Sequence, residues 1–203
     1  MDFLHSIRTR RLGSKRGFTL VELMVVVVII GIMASLAVPQ IVERLRERRA
    51  NQAASEIALL YRNARLRALG QGFAVLVRYT AGSGFQVFEA TPFGSGGTNN
   101  CTLQMPFSCS TNAWAVAGTD YRVVGSFQSS AYTGVTEDVS VAGSSATTLD
   151  MCFTPRGRAF FRVTTANALV PITQMVDVAV TRTATGNVRN VSVLPNGMAR
   201  LSL

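Results

Sequence analysis

The stretch Lys15–Gly31, KRGFTLVELMVVVVIIG, decides how the rest of the chain is read. It opens the longest apolar run in the sequence, yet it holds an acid, Glu22, only five residues in. A charged side chain near the centre of a bilayer costs on the order of 3 kcal/mol, so an acid placed there points to a function and a partner. Between Glu22 and Glu43 lie the uncharged residues Leu23 to Val42. At about 1.5 Å per residue they span roughly 30 Å, the thickness of one hydrocarbon core. That is longer than the apolar region of an ordinary cleaved secretory signal, so the run reads as a retained helix. Basic residues flank it on both sides, with Arg8, Arg10, Arg11, Lys15 and Arg16 before it and Arg44, Arg46, Arg48 and Arg49 after. The positive-inside rule therefore does not orient it.

The helical pattern continues past Pro39. Ile41, Leu45, Ala53, Ile57, Leu60, Ala64 and Leu69 recur at spacings near three and four, and charges fill the other face. One helix from Phe18 to Leu69 is predicted, with Gly70 as its C-cap. Gly31 and Pro39 are its weak points. After Gly72 the period becomes two, with β-branched residues. Strands are predicted at 73–79, 84–90, 121–127, 147–153, 158–164, 173–181 and 187–194, with hairpins about Ala81-Gly82-Ser83 and across 182–186. The Gly-, Ser-, Thr- and Asn-rich stretches 91–112 and 128–146 read as loops. The expected class is α+β, a long N-terminal helix packed on an antiparallel sheet domain.

Composition narrows the function. The net charge is +9, but residues 1–17 carry five bases against one acid, and without them the net is +5. That excess allows contact with anions without requiring it. The only histidine, His5, and the only lysine, Lys15, both precede Gly17. A chain starting at Phe18 has no Ser-His or Cys-His pair, no histidine metal site and no P-loop lysine. The adjacent acids Glu137 and Asp138 read as a solvated turn. No catalytic residue, metal site or cofactor is expected. Cys101 and Cys109 share one polar loop, and a bridge between them is predicted, with Cys152 a buried free thiol in an apolar strand.

Arg16-Gly17-Phe18-Thr19-Leu20-Val21-Glu22 resembles the class III signal of type IV pilins and type II secretion pseudopilins: a basic leader ending in glycine, then phenylalanine, then glutamate four residues on, then about twenty apolar residues. The resemblance implies four segments: a leader over 1–17, a transmembrane and filament-core helix over 18–42, an amphipathic continuation over 43–70 and a β-rich pilin head over 71–203. It implies that a prepilin peptidase cuts between Gly17 and Phe18 and methylates the Phe18 amine. Glu22 would then face the amine of a neighbouring subunit, and the Gly31–Pro39 segment would lose helicity in the filament. The implied partners are the inner membrane, the peptidase and other major and minor pilins.

Residues 64–68 and 151–161, ARLRA and MCFTPRGRAFF, are similar to the GspH/FimT family, low-abundance subunits that initiate or cap a pilus or a type II secretion pseudopilus. Some FimT-type members bind DNA through paired C-terminal arginines. Here the tail has the single Arg200, and Arg156, Arg158 and Arg162 are the other DNA-contact candidates, the last two expected on one strand face.

Overall fold

The computed structural model describes residues 17–90, 109, 114 and 121–202, apart from the side chains of Pro39, Arg46 and Ser129. Residues 1–16 of the expected leader and Cys101 lie outside the described residues. The chain divides into two compact units, Met1–Glu43 and Arg44–Leu203.

Helix α1 runs over Leu20–Gln71. Its end is fixed by Gly72 at φ +76°, whose N–H reaches the Ala68 carbonyl at 3.2 Å. Glycine adopts this left-handed geometry without steric cost, so the cap is Gly72 rather than Gly70. In the second unit the buried face of α1 is made of small residues, namely Ala50, Ala53, Ala54, Ala58, Ala64 and Ala68 around Ile57 and Tyr61. Alanine lets the helix axis come close to a sheet. The predicted stripe is corrected accordingly: Ile41, Leu45 and Leu69 are exposed, while Ala53, Ile57 and Ala64 are buried.

The strands are β1 Val75–Thr80, β2 Gly84–Ala90, β3 Tyr121–Phe127, β4 Val135–Val141, β5 Ser144–Ser145, β6 Thr148–Phe153, β7 Ala159–Arg162, β8 Val170–Pro171, β9 Val176–Arg182, β10 Val188–Val193 and β11 Ala199–Ser202. They form two antiparallel sheets, ordered β3-β2-β1-β6-β7-β8 and β11-β10-β9-β4-β5. Both expected hairpins are present: Thr80 pairs with Gly84, and Thr181 with Val188. The acids Glu137 and Asp138 sit in strand β4, not in a turn.

Alternation sorts the side chains of the first sheet. Val75, Val77, Tyr79, Leu149, Met151 and Phe153 join the alanine face of α1 and the valines of β9 and β10 in the main core. Leu76, Phe88 and Cys152 point the other way, into a second cluster with Cys109, Trp114 and Leu169. This is why the predicted bridge is wrong. Cys152 belongs to the outer face of the sheet, where it meets Cys109 and is bonded to it, with Cα atoms 5.5 Å apart.

The bridge closes a loop with a sequence separation of 43. On the chain-entropy account such a loop is worth about 4 kcal/mol. Reduction, or Cys152→Ala, should lower stability by roughly that amount in a denaturant titration. A non-reducing peptide map should join Cys109 to Cys152, and a map joining Cys101 to Cys109 would contradict this pairing.

Candidate processing and assembly site

Gly17, Phe18 and Thr19 have no regular structure, and the helix starts at Leu20. The Glu22 N–H donates to the Thr19 hydroxyl at 3.2 Å, and the Leu23 N–H to the Thr19 carbonyl at 3.2 Å. Thr19 is therefore the N-cap, and Glu22 is the third helical residue. A carboxylate in the first turn is favoured by the partial positive charge of the helix end. The Gly17–Phe18 peptide bond lies just ahead of this cap. Among the described residues nothing approaches within 4 Å of where a Gly17 side chain would be, and Phe18 is 80% exposed. Both residues of this bond are exposed.

Beyond Glu22, the described side chains through Val42 are all exposed. This helix is long and apolar enough to cross a membrane. The backbone stays helical through Gly31 and Pro39. Pro39 has no N–H to give to the Ser35 carbonyl, so one bond of the helical ladder is missing there.

The DNA-contact candidates separate. Arg156 and Arg158 are exposed in the turn between β6 and β7, and Arg200 is exposed on β11. Arg162 is fully buried. Its Nε donates to Asp150 at 2.7 Å and its Nη1 to the Asn167 carbonyl at 3.3 Å. Arg78 binds the same carboxylate at 2.7 and 2.9 Å and donates to the Trp114 carbonyl at 2.6 Å. The cause is strand register, since Arg78, Asp150 and Arg162 stand directly opposite one another on β1, β6 and β7. Arg162 is therefore removed from any nucleic-acid surface, whereas Arg158 stands just ahead of β7 and is exposed. Phe160 and Phe161 are also occupied, one packed against each core cluster. Two further arginines, Arg62 and Arg65, lie beside Arg200 on the last turns of α1. Their place in the repeat along the helix gave no sign of this, because the turn they meet is distant in sequence.

The sequence comparisons agree on one segment. Residues 12–38 match the family model described as the prokaryotic N-terminal methylation motif. A fimbrial protein of Pseudomonas aeruginosa is 45% identical over 47 residues, which is 23% of this chain and 30% of that protein. The type II secretion system core protein G of Escherichia coli K12 is 45% identical over 51 residues, 25% of this chain and 35% of that one. The chain thus spans about a third of the length of these relatives. One crystal structure of the type IV minor pilin FimU of Pseudomonas aeruginosa aligns with a TM-score of 0.42 at 18% identity, covering 75% of this chain and 92% of FimU.

Removing one partner from a buried ion pair strands the other charge, at a cost of roughly 3–5 kcal/mol. Arg162→Ala and Asp150→Asn should each lower the thermal midpoint sharply. An unchanged midpoint would contradict the buried network.

Proposed function

We propose that this type IV pilin-like protein is a minor pilin that initiates or caps a type IV pilus. It is made as a precursor, cut after Gly17, methylated on Phe18, held in the inner membrane by the first part of α1 with its head in the periplasm, and then drawn into the filament. One observation carries this reading. An exposed glycine–phenylalanine bond stands directly before a capped helix whose third residue is an acid, followed by twenty uncharged residues whose described side chains are all exposed. The Cys109–Cys152 bridge supports a head in an oxidising compartment.

Glu22 is the assembly gauge in this account. Among packed apolar helices its carboxylate needs a cation, and cleavage creates one, the Phe18 amine of a neighbouring subunit. Only the correct stagger brings the two together, and a stranded charge costs roughly 3–5 kcal/mol when buried. Gly31 and Pro39 are where unwinding on assembly costs least, because glycine disfavours helix and proline has already removed one bond. The protein is a substrate of the peptidase and performs no catalysis of its own.

The alternative is a type II secretion pseudopilin. The fimbrial protein and core protein G match the N-terminal segment at the same 45% identity, so that segment does not choose between the machines. The larger head and its basic balance favour the pilus. A DNA-uptake role would rest on Arg156, Arg158 and Arg200, with Arg162 excluded by its burial.

Coexpression with a prepilin peptidase should yield a protein that begins at methylated Phe18 by intact mass and N-terminal sequencing. An unchanged N-terminus overturns the reading. Glu22→Ala should be processed normally yet be absent from sheared pili that contain the wild-type subunit. Normal incorporation of the variant would remove the amine partner, and absence of the wild-type protein from pili would favour the pseudopilus.

A further inference from the structure

The turns Thr154–Arg158 and Leu194–Met198, which join β6 to β7 and β10 to β11, share one design. In each, the first residue's N–H bonds the fifth residue's carbonyl and the glycine N–H bonds the first residue's carbonyl, at 2.8–2.9 Å. Gly157 and Gly197 take φ of +76° and +75°. Both glycines abut Arg65. A Cβ on Gly157 would lie 3.7 Å from Arg65 Nη2, and one on Gly197 would lie 3.5 Å from its Nε. That Nε is buried and has no hydrogen-bond partner among the described residues.

On the Gly197 side the surface opens into a cavity of about 340 Å³ lined by Arg62, Arg65, Leu66, Met198 and Arg200. The Arg62 Nε is already committed to the Ala199 carbonyl at 3.0 Å. Arg200 is exposed, and the apolar part is open as well, with Leu66 63% and Met198 44% exposed. No carboxylate and no aromatic ring is among the described lining residues.

We infer that this cavity binds a partner protein through a carboxylate flanked by an aliphatic side chain. Three guanidinium groups gather with no acid among them, and the planar fork of arginine matches a carboxylate in two-point contact. Leu66 and the adaptable thioether of Met198 offer the neighbouring aliphatic group a dry seat. Single-stranded nucleic acid is the poorer fit, because it is held by stacking bases on aromatic rings and this lining has none. The volume suits one acidic side chain with its neighbour and falls at the small end of ligand sites.

The test uses the full chain in detergent and a dye-labelled peptide with a Leu-Glu-Leu-Glu core, read by fluorescence anisotropy. The controls are a twin peptide with Gln for Glu and a short oligothymidylate. The acidic peptide should bind saturably, at least about tenfold tighter than its twin, as a charge-assisted hydrogen bond implies. Arg65→Met should reduce it to the level of the twin. Arg200→Glu, at an exposed position where folding is not at stake, should abolish it. Arg48→Ala, exposed on α1 and outside the cavity, should leave it unchanged. Equal affinity for both peptides, binding of neither, or binding that survives Arg200→Glu would overturn the inference. So would an oligothymidylate that displaces the acidic peptide in an Arg65- and Arg200-dependent way.

Discussion

The structure turns on an apolar surface that its own chain does not cover. From Leu23 to Val42 the helix carries valine, isoleucine, leucine and methionine on every side, and none of the described side chains is buried. Covering one such side chain is worth about 1.5–3 kcal/mol, so more than a dozen of them represent tens of kcal/mol. That energy exceeds the whole net stability of an ordinary domain, which is about 5–15 kcal/mol. The segment therefore needs an outside apolar environment. In the proposed reading a bilayer would supply one before assembly and packed sister helices would supply one after. Glu22 fits both settings only because it stands at the helix start, where the Thr19 cap and the helix dipole favour it and where cleavage would place an amine.

The head faces the opposite problem, since it must hold arginines in a β-rich core. It does so twice with one device, a single carboxylate set between two arginines. On the outer face of the first sheet, Asp150 lies between Arg78 and Arg162. On the other face, buried Glu89 lies between Arg67 and Arg122. In each case the acid is the more deeply buried or equally buried member, and Arg78 and Arg162 each give a further donor to a backbone carbonyl. The outer network also tethers the Trp114 carbonyl, close to the Cys109–Cys152 bridge. The bridge and the ion cluster together fasten the second core cluster to the sheet.

Much of this was legible in the sequence because it is local. The helix follows from spacing and from strong helix formers on both sides of Gly31 and Pro39, and the hairpin at Ala81-Gly82-Ser83 from turn residues between alternating runs. The errors are non-local or disguised. Strand β4 was read as loop because the acids Glu137 and Asp138 sit inside it, although Val135, Val139 and Val141 keep period two. The disulfide was misassigned because nearness along the chain says nothing about which face of β6 Cys152 occupies. Arg162 looked like a surface arginine because its partner, Asp150, is known only once β6 and β7 are in register. Leu45 and Leu69 looked like core residues because leucine is more hydrophobic than alanine, yet close packing selected the alanines.

The central claim is that Leu23–Val42 is always covered by something outside the chain, and thiol accessibility in whole cells tests it most directly. Val28→Cys and Leu36→Cys would be challenged with a membrane-impermeant thiol reagent, in the membrane pool and in isolated filaments, with Leu59→Cys on the half-exposed flank of the head as the reactive control. The account predicts that both helix positions stay unlabelled in both pools and react only after denaturation, while position 59 reacts in the membrane pool. Labelling of positions 28 and 36 at the rate of position 59 in intact cells would contradict it.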